Sequence, residues 1–320
     1  MNCNPNCGPY GAASQHTCLT HPLLLKFEYS GIALLADLGW LQGGQLKPRK
    51  LNVTLPTPSQ FKALLALAHD LGDRSRTATL PHFRKPLEVT NKAGKAAFDP
   101  VTKADRAAEQ AIARMIRTRA PDHGIVGEEF GCERPDAPYQ WVVDPIDGTR
   151  SFITGSPLWG TLIGLLADGA PVLGLMDQPF TGERYWSDRT AAYGRLGSGK
   201  PRRIRTRACS KLAEALVMTT SPDLFEAGFE AERFARVHRA TRMTRYGGDC
   251  YAYCLLASGF VDLVIEAGLK PYDIVALIPI VERAGGRITT WDGGPATDGG
   301  RILASGDARL HDQALRLINR

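Results

Sequence analysis

The sequence predicts an α+β fold for residues 55–205 and an α/β fold for residues 206–320. In the first segment two helical stripes of apolar residues come before a run of strands, an order typical of α+β domains. In the second segment strands and helices alternate, which is typical of layered α/β domains. A basic stretch, residues 200–207, joins the two and is expected to be a solvated connector. We therefore predict two domains that follow an N-terminal extension.

The extension, residues 1–54, is rich in Asn, Gly, Pro, Cys and Gln and has no sustained helical or strand period. Such a segment cannot bury enough apolar surface to fold alone, so a poorly ordered extension is predicted. It also contains five thiol and imidazole side chains: Cys3, Cys7, Cys18, His16 and His21. Their spacing fits no standard zinc finger, so we predict no zinc site.

The first domain begins with a helix, because Phe61, Leu64 and Leu71 fall on one helical stripe. Thr102 and Asp105 then form an acidic variant of the capping box, which predicts a second helix that stops before Pro121. A run of strands follows. The predicted strands are 124–127, 141–143, 160–166, 172–176, 185–186 and 191–193.

In the second domain Asp249 follows a Gly247-Gly248 turn and is predicted to cap a helix that runs to Ala257. Pro271 is predicted to open another helix, which continues to the glycine pair at 285–286. The remaining elements alternate. They are strands 215–220, 241–246, 261–266, 287–290 and 302–304, with helices at 226–239 and from about 308.

Composition favours a globular protein of the cytoplasm. Of the 320 residues, 43% are hydrophobic and 22% are charged, and no apolar run approaches the roughly 18 residues of a membrane helix. We find no N-terminal secretory signal, and seven cysteines fit no disulfide scaffold. The net charge of +6 raises the question of nucleic acid, but no aromatic stacking platform accompanies the basic connector. A positive surface would also attract an anionic phosphate ester.

The stretch from Trp141 to Thr149 organises the predicted site. It opens as a buried apolar strand, which Pro145 is expected to end because proline cannot donate to a sheet ladder. Asp144 and Asp147 then point from the same sheet edge. Gly148 lets the backbone approach a ligand, and a helix starting here would direct free N–H groups at an anion. Carboxylates for a cation beside amides for a phosphate predict metal-assisted phosphoryl chemistry.

Two further acidic residues share this context. Glu128 follows the strand 124–127, and Asp273 begins a helix that comes after a strand. Taken singly, Glu128 would be interpreted as a solvated loop charge and Asp273 as an ordinary carboxylate at a helix N-terminus. Together with Asp144 and Asp147 they form an oxygen-rich set, which suits Mg²⁺ better than zinc because no histidine or cysteine joins them.

Four ordered motifs resemble the inositol monophosphatase family. They are Asp99–Asp105 with its threonine and aspartate, Gly127–Glu129, Asp144–Thr149 and Pro271–Asp273. The resemblance covers residues 57–320 and leaves out the extension. It implies a layered αβαβα sandwich of the inositol monophosphatase and fructose-1,6-bisphosphatase type. It also implies a homodimer, and a site that the first domain largely supplies and the second completes.

The resemblance also implies a role for each matching residue. Glu128, Asp144 and the carbonyl of Ile146 would hold one Mg²⁺, while Asp144, Asp147 and Asp273 would hold a second. Glu128 would also help with a third, weaker ion. The remaining roles fall to other residues: Thr149 and Asp105 would prepare the attacking water, the Gly148 and Thr149 amides would bind the phosphate, and either Lys92 or Lys95 would face the metal site.

Substrate choice rests on three segments that resemble the histidinol-phosphatase branch: residues 150–160, 245–253 and 269–273. Glu266 matches a family carboxylate that contacts the organic part of the substrate, and Arg245 lies in one of these segments. The predicted activity is thus hydrolysis of histidinol phosphate, in histidine biosynthesis. Hydrolysis of inositol phosphate or adenosine 3′,5′-bisphosphate is the alternative on the same scaffold. A nucleic-acid-binding protein and an inactive regulatory protein are the alternatives of other classes.

Overall fold

The computed structural model describes residues 26–29, 32–35, 55–92 and 100–320. Residues 52–320 form one compact unit. In the N-terminal unit Lys26–Tyr29 (β1) and Ile32–Leu35 (β2) pair as an antiparallel hairpin, which the sequence analysis did not predict. The cysteines and histidines of the extension lie outside the described residues, and its poor order stays a prediction.

Two sheets organise the larger unit. The described strands of the first sheet are, in spatial order, β12 (Arg202–Ile204), β11 (Ala192–Leu196), β10 (Glu183–Ser187), β9 (Ala170–Gln178), β8 (Gly160–Ala167), β7 (Tyr139–Asp147), β5 (Gly124–Gly127) and β6 (Gly131–Glu133). Those of the second are β14 (Met243–Tyr246), β13 (Leu216–Thr219), β15 (Leu263–Leu269), β17 (Gly300–Ser305) and β16 (Arg287–Thr290). A short antiparallel pair joins β3 (Val89–Asn91) to β4 (Pro100–Thr102).

The helices form three layers around these sheets. Their bounds are α1 (Pro58–Thr79), α2 (Lys103–Arg119), α3 (Thr149–Ile153), α4 (Phe229–Ala240), α5 (Cys250–Ala257), α6 (Pro271–Ile274), α7 (Leu277–Arg283) and α8 (Ala308–Ile318). One apolar core joins α1 and α2 to the first sheet, a second places α5 and α7 between the sheets, and a third joins α4 and α8 to the second sheet. The predicted αβαβα sandwich is confirmed.

Local signals in the sequence explain several of these boundaries. Thr102 caps α2, and the Asp105 carboxylate accepts the Thr102 backbone N–H in return, as the capping box predicts. The hairpin between β8 and β9 turns at Asp168 and Gly169, whose φ angles are 46° and 79°. No helix of the described residues has the length and apolarity that crossing a membrane requires.

The basic connector, residues 200–207, makes more contacts with the folded unit than its composition predicts. Residues 202–204 pair with β11 as the edge strand of the first sheet. The Arg207 guanidinium makes two hydrogen bonds, of 2.7 and 2.6 Å, with the buried carboxylate of Asp262. Part of the positive charge therefore stabilises the fold. The domain boundary near residue 205 stays a prediction.

The helix predicted from Pro271 to the glycine pair is instead broken between α6 and α7. Gly164 and Gly174 face each other across β8 and β9 and leave a notch in the sheet. A Cβ at Gly174 would lie 1.8 Å from the Ala276 carbonyl oxygen, so only glycine allows the break to pack there. This contact docks α6, and with it Asp273, on the first sheet.

Candidate metal centre and active site

The strand β7 does not end at Pro145, so that prediction is wrong. Asp144 pairs with Leu162 of β8 and Asp147 pairs with Gly160, which leaves Pro145 and Ile146 opposite Thr161 alone. Two residues against one define a β-bulge, and a bulge accepts proline because one of its residues does not donate to the ladder. The bulge leaves Asp144 and Asp147 together at the end of the strand.

The structure brings three of the predicted ligands together. Carboxylate oxygens of Asp144, Asp147 and Asp273 lie within 4.8 Å of one another, although Asp273 comes from α6 and the other two from the first sheet. Burial, followed by the charges of its carboxylate neighbours, raises the pKa of Asp144 well above its usual value. Burial raises the pKa of Asp273 to about 7. A cluster that repels itself in this way is stabilised by a hard cation with oxygen ligands, and Mg²⁺ fits it.

Glu128 stands beside this cluster, at the turn after β5. Its carboxylate is close enough to Asp144 to raise the pKa of that group. The Lys92 ammonium donates to Glu128 Oε1 at 2.8 Å and to Glu129 Oε1 at 2.9 Å. Lys95 lies outside the described residues, so the choice between Lys92 and Lys95 stays open.

Glu109, a buried residue of α2 that was not predicted from the sequence, holds this turn. Its carboxylate accepts the backbone N–H groups of Glu129, at 2.8 Å, and of Phe130, at 3.0 Å. A Cβ at Gly127 would lie 1.9 Å from Glu109 Oε1, so glycine is needed for the approach. One signal was present: Glu109 lies four residues after Asp105, on the same helix face.

We expect Glu109→Gln to weaken Mg²⁺ binding by about 10-fold, the usual scale for a residue that orients a ligand. An amide offers one acceptor oxygen and turns an N–H group toward a backbone donor, so the turn with Glu128 shifts. Titration calorimetry with Mg²⁺ measures the effect. Gln110→Ala, an exposed neighbour on the same helix, is the matched control. Unchanged Mg²⁺ affinity in Glu109→Gln would contradict the role.

The two predicted catalytic residues have separate partners in the structure. Thr149 Oγ1 donates to the Ile146 carbonyl at 3.1 Å. Asp105 Oδ2 accepts the Thr102 N–H at 2.8 Å and also the Thr102 hydroxyl. Burial raises the pKa of Asp105 to about 6, against the opposing effect of these hydrogen bonds. Among the described residues no hydrogen bond joins Thr149 to Asp105, and their joint role stays a prediction.

The predicted side-chain cap of α5 by Asp249 is wrong. Asp147 Oδ2 instead accepts the Cys250 N–H at 2.6 Å, which ties the start of α5 to the first sheet. Asp249 has a φ of 44°, and its carboxylate accepts the Ser151 hydroxyl at 3.3 Å. Gly148, with a φ of 86°, allows this approach, since a Cβ there would lie 3.1 Å from the Asp249 carboxyl carbon.

A cleft of about 70 Å³ opens beside the carboxylate cluster. Its lining includes Asp147 and Asp273 of the cluster, together with Asp249 and Glu266. Glu266 is 2% exposed and accepts the Thr220 N–H at 3.1 Å, the Thr220 hydroxyl, and the Tyr253 hydroxyl at 3.1 Å. The strand β15 continues past Glu266 to Leu269 through a second bulge.

Arg245, the other predicted substrate contact, lies on the edge strand β14 with an exposed side chain. No hydrogen bond or ion pair to Glu266 is found for it among the described residues. The structure therefore brings Glu266 to the cleft but leaves the role of Arg245 a prediction. Asp249 is the cleft carboxylate that sequence reasoning did not assign to the site.

A layered sandwich with a cluster of three carboxylates beside a cleft is the arrangement expected of a metal-dependent phosphatase. More particularly, the chain belongs to the inositol monophosphatase family, whose model matches residues 62–320. The family is Mg²⁺-dependent, and the carboxylate cluster is suited to holding a metal ion. The chain is accordingly a phosphoric monoester hydrolase by class.

Three relatives illustrate the range of this family. The chloroplastic bifunctional phosphatase IMPL2 of Arabidopsis thaliana is 43% identical, over 84% of this chain and 80% of its own. The histidinol-phosphatase of Mycobacterium tuberculosis is 35% identical, over 80% of this chain and 97% of its own. The solved structure of an inositol monophosphatase from Zymomonas mobilis has a TM-score of 0.72 and 43% identity, and covers 81% of this chain and 99% of its own.

Proposed function

We propose that the protein is a Mg²⁺-dependent histidinol-phosphate phosphatase of histidine biosynthesis. The observation that carries the proposal is the cluster of Asp144, Asp147 and Asp273, whose oxygens lie within 4.8 Å of one another beside the cleft. Similarity to a histidinol-phosphatase supports the choice of substrate. A homodimer and a cytoplasmic location belong to the same proposal.

Each residue of the candidate site has a proposed role. Glu128, Asp144, Asp147, Asp273 and the Ile146 carbonyl would hold two Mg²⁺ ions, and Glu128 would help with a third. Bound Mg²⁺ supplies Lewis-acid chemistry, which polarises the phosphate ester and lowers the pKa of the attacking water. Other residues are proposed to act on the attacking water and on the phosphate. Asp105, ionised at neutral pH, accepts the proton of the water that Thr149 orients, and the Gly148 and Thr149 amides face the phosphate.

Substrate selectivity is assigned to two carboxylates of the cleft outside the proposed ligand set, Asp249 and Glu266. The half-buried Asp249 and the buried Glu266 supply these carboxylates, which favours a cationic organic group such as the ammonium of histidinol. Inositol phosphate remains the alternative, because a carboxylate also accepts hydrogen bonds from sugar hydroxyls. Similarity to the Zymomonas mobilis enzyme favours that alternative.

Phosphate release from histidinol phosphate, inositol phosphate, adenosine 3′,5′-bisphosphate and glycerol phosphate tests the proposal, with histidinol phosphate expected to be hydrolysed best. Glu266→Gln keeps the shape and removes the charge, so kcat/KM should fall about 10-fold or more for histidinol phosphate and far less for glycerol phosphate. The scale follows from a charge-assisted hydrogen bond of about 1.5–3 kcal/mol.

Glu183→Gln is the control for this variant. Glu183 accepts the Tyr185 and Tyr251 hydroxyls, each at 2.6 Å, and does not line the cleft. The Glu183→Gln variant should leave the preference among the phosphate esters unchanged. Equal losses on both esters in Glu266→Gln would assign Glu266 to the scaffold, through its bonds with Thr220 and Tyr253, and would leave histidinol without support from the cleft.

A further inference from the structure

Thr161 of β8 faces the bulge that carries the cation ligands. It is the partner-strand residue between the pairs Asp144–Leu162 and Asp147–Gly160, and it is fully buried. Its hydroxyl donates to the Pro145 carbonyl at 2.8 Å. The bulge takes this carbonyl out of the regular ladder, and the threonine side chain supplies its donor.

The peptide unit between Pro145 and Ile146 is consequently held at both ends. Its carbonyl accepts the Thr161 hydroxyl, while its N–H donates to Asp144 Oδ1 at 2.9 Å. Rotation of this peptide would break both bonds. It would also turn the Asp144 carboxylate and the Ile146 carbonyl, which are two of the proposed ligand groups.

The chain of hydroxyl groups extends to α1. Ser75 Oγ lies 2.7 Å from Thr161 Oγ1, and both residues are fully buried. A carbonyl oxygen can only accept, so the single hydroxyl hydrogen of Thr161 goes to Pro145, and Ser75 must donate to Thr161. The next residue, Arg76, binds the Asp177 carboxylate at 2.8 Å, and Asp177 is the β9 partner of Thr161. Helix α1 is thus fixed to the sheet at the level of the bulge.

We propose that Thr161, supported by Ser75, is a positioning residue of the cation site. Hydrogen bonds from α1 through Ser75 and Thr161 set the plane of the Pro145–Ile146 peptide and so aim the Asp144 carboxylate and the Ile146 carbonyl. Neither hydroxyl belongs to the proposed ligand set or lines the cleft. The inference rests on the proposed function, because it concerns the binding of Mg²⁺.

The test measures Mg²⁺ binding by titration calorimetry, thermal unfolding without Mg²⁺, and turnover at saturating Mg²⁺. Thr161→Val keeps the shape and removes the hydroxyl, and should raise the dissociation constant of Mg²⁺ about 10-fold or more, the scale for residues that orient metal ligands. Excess Mg²⁺ should restore most of the turnover. Thr161→Ser should bind nearly as the wild type does, and Ser75→Ala should fall between the two.

Thr79→Val is the matched control. The Thr79 hydroxyl is also buried on α1, but it donates to the Ser75 carbonyl at 3.0 Å and does not reach the bulge. The Thr79→Val variant should have a lower melting temperature and an unchanged affinity for Mg²⁺. If Thr161→Val fails to fold, the Mg²⁺ affinity of Ser75→Ala tests the inference, and Thr161→Ser remains the variant that keeps the hydroxyl.

Two results would overturn the inference. A lower melting temperature with unchanged Mg²⁺ affinity in both Thr161→Val and Ser75→Ala would restrict these hydroxyls to a role in the fold. If the wild-type protein binds no Mg²⁺, both the inference and the proposed function are overturned. If the wild type binds Mg²⁺ and the variants bind it equally well, only the inference is overturned.

Discussion

Asp144→Asn is expected to abolish phosphate release while the chain stays folded. Asp144 is buried at the bulge and is proposed to bridge both cations, so its replacement removes a charged ligand from each. Asparagine keeps the shape of the side chain and can still accept the Ile146 N–H, which Asp144 Oδ1 accepts at 2.9 Å. The variant also has less repulsion with Asp147 and Asp273, so it should unfold no earlier than the wild type without Mg²⁺.

Three measurements separate loss of a ligand from loss of the fold: turnover with excess Mg²⁺, circular dichroism, and thermal unfolding with and without Mg²⁺. Mg²⁺ should raise the melting temperature of the wild type, because it binds only the native state, and should do so far less in Asp144→Asn. Asp168→Asn is the matched control, since Asp168 lies in the turn at the other end of β8 and asparagine tolerates its φ of 46°. Substantial turnover in Asp144→Asn would exclude the bridging role.

Local signals made much of the fold and site predictable. The capping box of Thr102 and Asp105 depends only on residues three apart, and the hairpin at Asp168 and Gly169 on two turn residues. The carboxylates of Asp144, Asp147 and Asp273 were recognisable because each follows or opens an element with a clear apolar pattern. Such signals lie within one element and need no knowledge of its neighbours.

Pairing between distant segments was not predictable in this way. The bulge at Pro145 depends on the register with β8, and the break after α6 depends on the notch made by Gly164 and Gly174. The start of α5 is held by Asp147, 103 residues away along the chain, in place of the adjacent Asp249. Each of these features is set by tertiary contacts that override the local preference of the sequence.

Thr149→Ala is expected to lower turnover by about two orders of magnitude, the usual scale for a group that assists proton transfer. The Thr149 hydroxyl hydrogen goes to the Ile146 carbonyl at 3.1 Å, so its lone pairs are left to accept a hydrogen bond from the attacking water. Alanine removes this acceptor and retains the backbone amide that is proposed to face the phosphate. Because Thr149 is not a proposed ligand, Mg²⁺ affinity should change by only a few-fold.

Two further variants are compared with Thr149→Ala. Thr149→Ser should keep most of the turnover because it retains the hydroxyl, and Thr154→Ala is the control. The exposed Thr154 hydroxyl follows α3 and donates to the Arg150 carbonyl at 3.0 Å, so its loss should leave turnover unchanged. Turnover at saturating Mg²⁺ and the Mg²⁺ dissociation constant are measured for each variant. If Thr149→Ala binds Mg²⁺ poorly yet turns over normally at saturation, the hydroxyl serves only to orient the Ile146 carbonyl. A large loss of turnover at saturating Mg²⁺ assigns Thr149 to the preparation of the nucleophile.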